Sequence, residues 1–238
     1  MPMEQRLNSD NYHIRGRLIL AALGALCFSM IALQVTAGNT AAFDHTVDYA
    51  VYGLRSGFTE AVLIPITYMG NAATIVTVIA VLVLIPRSRL RIGVPAAVTG
   101  TVVLIFYKCL KAGFARERPD EALRLITQGG FSFPSGHSMN GIVCYGMIIF
   151  LVRRSCRSRR AADITTALLT LLILLIGFSR IFVGVHYVTD VLGGWSMGLC
   201  CLMLATVIMD RLVYPRYPEL LAEPGTKDTQ AKETQMRG

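Results

Sequence analysis

The chain has 238 residues, 53% of them apolar and 16% charged, with a mean hydropathy of +0.52. A soluble domain keeps about a quarter of its residues charged to cover its surface, so this composition excludes an ordinary soluble globule and puts most of the chain in lipid. The formal net charge of +8 is compatible with nucleic acid, an anionic membrane surface or an acidic substrate as partner, and the placement of the cations decides among them.

In chain order, a polar segment, residues 1–17, precedes the first apolar run, Leu18–Ala37. Val35 and Ala37 loosely fit a signal-peptidase site, but the length of the run and the spans after it favour an uncleaved signal anchor. Five further runs follow: Glu60–Ile85, Ile92–Gly113, Gly136–Val152, Ile164–Val183 and Asp190–Met209. Each approaches the roughly 20 residues that cross about 30 Å of hydrocarbon. Helices are the open elements that satisfy their own backbone in lipid, so the expected fold is an all-α, polytopic six-transmembrane-helix bundle over residues 18–212. A polar, disordered tail is expected over 213–238. Between the first two spans, Phe43, Val47, Val51, Leu54 and Phe58 recur at helical spacing with Asp44, His45, Asp48 and Arg55 off the stripe. That pattern predicts a short amphipathic helix, lying on the outer surface or packed on the bundle.

Charge sets the orientation, because cytoplasmic connections carry the excess of Lys and Arg. Sixteen of the 23 cations fall on one side: Arg6, Arg15 and Arg17; Arg87, Arg89 and Arg91; Arg153, Arg154, Arg157, Arg159 and Arg160; and Arg211, Arg216, Lys227, Lys232 and Arg237. Both termini are therefore expected in the cytoplasm. The remaining seven, Arg55, Lys108, Lys111, Arg116, Arg118, Arg124 and Arg180, lie on or near the opposite face. The cations are then accounted for without nucleic acid.

Three clusters far apart in sequence meet at that face. Lys111 stands seven residues before Arg118-Pro119; Pro134-Ser135-Gly136-His137 opens the fourth span; Ser179-Arg180 closes the fifth, with His186 and Asp190 following. Lys111, Arg118 and Arg180 supply cations at one depth for the charge that a phosphoryl transfer spreads over its equatorial oxygens. Ser135 and Gly136 open a helix after a proline, where backbone N–H groups and the positive dipole end favour an anion. His186 and Asp190 are four apart and share a helix face, so the carboxylate can set the imidazole tautomer and leave the other ring nitrogen free to attack phosphorus. Taken singly, each histidine at a helix end is ordinary, and Arg180 after an apolar run could simply snorkel. The joint pattern is what points to chemistry. No Asp/Glu/His cluster has transition-metal spacing, so neither metal nor cofactor is expected.

Written as K-x6-RP, PSGH and SR-x5-H-x3-D, the clusters resemble the three-part signature of the type 2 phosphatidic acid phosphatase superfamily, which includes vanadium haloperoxidases and glucose-6-phosphatase. All eleven signature positions are present in order, and the resemblance covers roughly residues 60 to 210. It implies metal-independent hydrolysis with His186 as nucleophile forming a phosphohistidine, Asp190 behind it, and His137 protonating the leaving oxygen and then activating water. Lys111, Arg118, Ser135, Gly136 and Arg180 would bind the phosphate.

The resulting expectation is a multi-pass membrane enzyme acting at the extracytoplasmic face on a lipid phosphomonoester or pyrophosphate, with phosphatidic acid, phosphatidylglycerol phosphate, undecaprenyl pyrophosphate and lipid A phosphate as candidates. The loop from Asp120 to Phe133 is expected to shape specificity, with Phe131 and Phe133 touching the substrate's apolar chains. Arg116 and Arg124 read as solvated loop residues ahead of a role in steering an anionic head group, Lys108 as snorkelling or structurally paired ahead of sharing the Lys111 face, His13 and His45 as inert, and the Gly194/Gly198 pair as internal helix packing ahead of a dimer seam. A phosphotransferase of the same fold, a vanadate-binding haloperoxidase, against which the six spans speak, and a non-enzymatic lipid transporter are the competing readings.

Overall fold

The computed structural model of the protein describes residues 3–156 and 158–217, and among these the chain is helical with no strand. The side chains of Arg6 and Arg87, residue Arg157, and the tail from 218 onward with Lys227, Lys232 and Arg237 lie outside the described residues. Helix α1 (Met3–Thr36) runs through the first expected span and ends at a turn where Gly38 takes φ +74°. Helix α2 (Ala41–Tyr52) follows, then α3 (Gly57–Met69), started by a reciprocal capping box between Ser56 and Thr59. Helix α4 (Ala72–Leu84) continues after a break at Gly70 and Asn71, bent by 58° from α3. A single turn, α5 (Pro86–Ser88), and a π turn (Arg89–Gly93) lead into α6 (Val94–Phe114). Helices α7 (Gly136–Ser155), α8 (Arg159–Phe182) and α9 (Val188–Ile208) complete the bundle, α9 ending in a π turn (Met209–Val213).

By length and apolar composition, His13–Thr36, Arg89–Phe114, Arg159–Phe182 and Val188–Val213 can each cross a bilayer, and the bent α3–α4 pair passes the same test when its two helices are taken together. The expected fourth span is helical, as α7, and falls short of that apolar standard. The reason is position: α7 packs against α6, α8 and α9. Most of its length, including Ser138, Met139, Val143, Met147 and Leu151, is buried by protein rather than lipid. A helix sheathed by its neighbours need not be apolar all round.

Helix α9 packs along both α1 and α7. Gly194 and Gly198 make the second contact close: a Cβ at either would collide with backbone carbonyls of Ser135 and Met139. The pair therefore serves internal packing at the start of α7. At the end of the bundle remote from the α9 N-terminus, Asp210 is bound by Arg17 and by Arg154 at 3.0 Å, and Arg153 pairs with Asp163 at 2.7 Å.

Helix α2 forms over the expected stretch, but Asp44 and Asp48 share its inward face with Val47 and Val51 of the apolar stripe. Asp44, Asp48 and Val51 are its buried residues, while Phe43, Leu54 and the following Phe58 are exposed. The acidic face is turned inward because α9 begins there with N–H groups that have no partner inside the helix. Val188 N donates to Asp48 Oδ1 at 3.1 Å and Thr189 N to Asp44 Oδ1 at 3.0 Å, and the charges also suit the positive dipole end.

Candidate active site

Every signature residue lies at a helix end or in the two loops that join α6 to α7 and α8 to α9, and the bundle brings these together. Lys111, in the last turn of α6, donates to Tyr107 Oη at 2.8 Å. Tyr107 in turn stands against Gly136, where any Cβ would collide with its ring and hydroxyl. Arg118 follows the left-handed residue Ala115 (φ 47°) that ends α6. Its guanidinium is anchored on the carbonyls of Gly130 and Val185, at 2.9 and 2.6 Å, and its Nη1 also reaches His186 Nε2 at 3.1 Å.

His186 is fully enclosed between two partners. Its Nδ1 lies 3.2 Å from Asp190 Oδ2, which also accepts Tyr187 N–H at 3.0 Å. With Nδ1–H donating to the carboxylate and Arg118 donating to Nε2, the ring holds a lone pair on Nε2. Burial, reinforced by Arg118, Arg180 and Lys111, pushes the proton affinity of His186 well below the ordinary imidazole value. The ring thus stays neutral at neutral pH and below the usual histidine midpoint, its Nε2 lone pair meeting the Arg118 N–H. Burial likewise lowers Arg118, which remains a cation.

Arg180 is 1% exposed at the end of α8. It donates to Thr67 Oγ1 and to Gln128 Oε1, both at 2.8 Å, while its Nε has no hydrogen-bond partner among the described residues. A buried donor without a partner is costly, and a phosphate oxygen is the acceptor that Arg180 suits. His137, in the first turn of α7, lies in the electrostatic field of Arg180, His186, Lys111 and Arg118. The Gly70 break makes room for it, since a Cβ there would press on His137 and Ile176. Ser135 N–H donates to the Asp190 carbonyl at 2.9 Å and Ser135 Oγ accepts from Ser138. What the helix start offers an anion is therefore the run of N–H groups from Gly136 onward.

Several residues outside the signature belong to the same constellation. Tyr107 is four before Lys111, a spacing that places both on one helix face, and this was the available signal. Thr67 and Gln128 carried none. Arg116, expected as a solvated loop cation, is 17% exposed and bridges Asp44 and Asp190, each at 2.7 Å. Those two carboxylates raise its pKa although burial opposes them. Arg124 is half-buried and donates to the Pro119 carbonyl at 2.6 Å. Arg55 ties the segment between α2 and α3 to the Phe182 carbonyl at the end of α8. Lys108 is exposed, and His45 stacks on Tyr49 with centroids 4.1 Å apart. Of the two loop phenylalanines expected at lipid chains, Phe131 is 43% exposed, but Phe133 is fully buried. Phe133 stacks on Phe28 at 5.6 Å and meets Phe114 edge-on at 4.9 Å, so it anchors the loop to α1 and α6 instead.

Asp48 gives one measurable consequence. Burial, with repulsion from Asp44 and Asp190, lifts its pKa to about 7 against the Val188 N–H and Arg116. Between the ordinary carboxylate value, about 4, and that midpoint the folded chain holds a proton the unfolded chain has released, so this group's contribution to stability falls as pH rises through the window. Asp48→Asn keeps an acceptor for Val188 N–H and removes the titration. Its thermal midpoint in detergent is expected to exceed wild type at pH 8 and to differ less between pH 5 and pH 8; an unchanged difference would show that Asp48 is ionised throughout.

The chain is similar to known proteins over most of its length. The model of the PAP2 superfamily matches residues 90–214. Phosphatidylglycerophosphatase B of Bacillus subtilis (strain 168) is 32% identical over 183 residues, covering 75% of this chain and 89% of that protein. The crystal structure of the first transmembrane PAP2 type phosphatidylglycerolphosphate phosphatase from Bacillus subtilis superposes with a TM-score of 0.74 at 25% identity, over 81% of this chain and 96% of that one. Aquifex aeolicus LpxE superposes at 0.56 with 20% identity, over 68% and 93% of the two chains, and shares the fold.

Proposed function

Because this chain belongs to the PAP2 superfamily and is a multi-pass membrane lipid phosphatase that needs no metal, we propose that it hydrolyses the terminal phosphomonoester of phosphatidylglycerol phosphate through a phosphohistidine on His186. The observation that carries the reading is His186 held between Asp190 at Nδ1 and Arg118 at Nε2, inside a ring of cations. Nε2 attacks phosphorus as the bond to the leaving oxygen breaks, and His137 gives that oxygen its proton. Lys111, Arg118, Arg180 and the N–H groups at the start of α7 receive the charge on the equatorial oxygens. The proton on His137 is acquired with substrate in place, since the phosphate dianion offsets the field of the three cations. His137, now neutral, takes a proton from water; the water oxygen bonds to phosphorus, the N–P bond breaks, and inorganic phosphate leaves with both histidines restored.

The preference for phosphatidylglycerol phosphate rests on the Bacillus subtilis relatives, and the extracytoplasmic position of the site on the basic clusters at the opposite end of the bundle, Arg17, Arg153 and Arg154. The test is phosphate release, with a chelator present, from phosphatidylglycerol phosphate, phosphatidic acid and undecaprenyl pyrophosphate in mixed micelles. The highest kcat/KM is expected for phosphatidylglycerol phosphate; a higher value for another lipid overturns the substrate assignment. Transfer of phosphate to an added alcohol or lipid in place of water would identify a phosphotransferase.

A further inference from the structure

We infer that Asp44 of α2, acting through Arg116, is a positioning residue for the Asp190–His186 pair. The Arg116 guanidinium spans two carboxylates. Nη1 donates to Asp190 Oδ1 at 2.7 Å and to Thr189 Oγ1 at 2.9 Å; Nη2 donates to Asp44 Oδ2 at 2.7 Å and to Thr40 Oγ1 at 3.2 Å. The plane lies over the Tyr187 ring, 4.2 Å from its centroid. Asp44 also grips α9 directly, accepting from Thr189 N at 3.0 Å and from Thr189 Oγ1 at 2.8 Å. Asp44 and Asp190 are 1% and 0% exposed, so these bonds are shielded from water. Three elements far apart in sequence thus converge behind the histidine, and Asp44 lies outside the residues 90–214 that the family model matches.

The consequence follows from the oxygens of Asp190. Oδ1 faces Arg116 and Oδ2 faces His186 and the Tyr187 N–H, so Arg116 determines which oxygen meets the imidazole and holds the carboxylate plane. Attack on phosphorus moves positive charge onto the ring, and the bond from Nδ1–H to Oδ2 strengthens as that charge develops. A cation bound to Asp190 alone would weaken that response. Asp44 shares the guanidinium, which leaves more of the charge of Asp190 to the imidazolium and fixes Arg116 in the bridging rotamer. Asp44 touches neither substrate nor the reacting atoms.

The inference rests on His186 being the nucleophile, and the experiment separates the two. With phosphatidylglycerol phosphate in micelles, Asp44→Asn is expected to lower kcat by about tenfold to a hundredfold, the range for partners that orient an active-site ligand, with KM within about twofold. In an Asp190→Asn background the same change is expected to have almost no further effect, because the route through Asp190 is already lost. Arg116→Lys, which keeps the charge and loses the fork, should give the same loss and the same non-additivity; it carries the test if Asp44→Asn does not fold. A purely structural role would lower the thermal midpoint, leave kcat per folded molecule unchanged, and overturn the inference. So would an undiminished loss in the Asp190→Asn background. If His186→Ala retains activity the nucleophile assignment fails; if it is inactive while Asp44→Asn turns over like wild type, the positioning role alone fails.

Discussion

Replacing His186 with alanine is expected to reduce phosphate release from phosphatidylglycerol phosphate by about 10^4-fold or more, as loss of a covalent nucleophile does. The size follows from the proposed mechanism, in which the imidazole held between Asp190 and Arg118 supplies the attacking atom. The cavity left by the ring would admit water, but Asp190 would then face it without an oriented proton. Rapid quenching after mixing with radiolabelled lipid gives a second reading. The wild type should trap an acid-labile, alkali-stable phosphoenzyme, and His186→Ala should trap none. A variant that releases phosphate at the wild-type rate, or still accumulates the phosphoenzyme, would place the covalent step elsewhere.

His137→Ala is expected to cost about 10^2–10^4-fold on the lipid, the range for a positioned acid–base group, and the loss should depend on the leaving group. An alkoxide such as the glycerol oxygen needs a proton as it departs, whereas the nitrophenolate of p-nitrophenyl phosphate departs without one. Phosphoenzyme formation from p-nitrophenyl phosphate should therefore survive the substitution, while hydrolysis of the phosphoenzyme, which needs water activated by the same residue, should become slow. A burst of nitrophenol followed by a low steady rate is the expected trace. Equal losses of the burst on both substrates would mean that His137 binds the phosphate instead of moving a proton.

Much of this site was legible from spacing because its residues sit where helices end. A four-residue step puts His186 and Asp190 together, and a proline before Ser135-Gly136 opens a helix toward an anion. Those are local rules, and α7 and α9 obey them. What stayed hidden depended on which way a side chain faces when lipid is the outer solvent. Phe43 at the start of α2 and Leu54 just after its end face outward, while Asp44 and Asp48 turn inward beside Val47 and Val51, so the residues set aside as polar surface hold α9 and Arg116. Phe131 and Phe133 lie in a loop with no period to distinguish them, and only the fold sends one outward and the other against Phe28. Helix α7 shows the converse: packed among α6, α8 and α9, it carries Ser138, Asn140 and three glycines in place of a continuous apolar surface.

The unmatched Nε of Arg180, beside Lys111 and Arg118, ties anion occupancy to the stability of the whole fold. Three like charges repel one another, and a buried donor without an acceptor costs about 1–3 kcal/mol. Both penalties diminish when a phosphate-sized dianion enters, and by linkage such a ligand stabilises the native state by about 2.7 kcal/mol at a hundred times its dissociation constant. The reaction's own product is a ligand of this kind. Inorganic phosphate should thus act as competitive inhibitor and as stabiliser at one locus, so the conditions that best preserve the purified protein are those that slow its turnover.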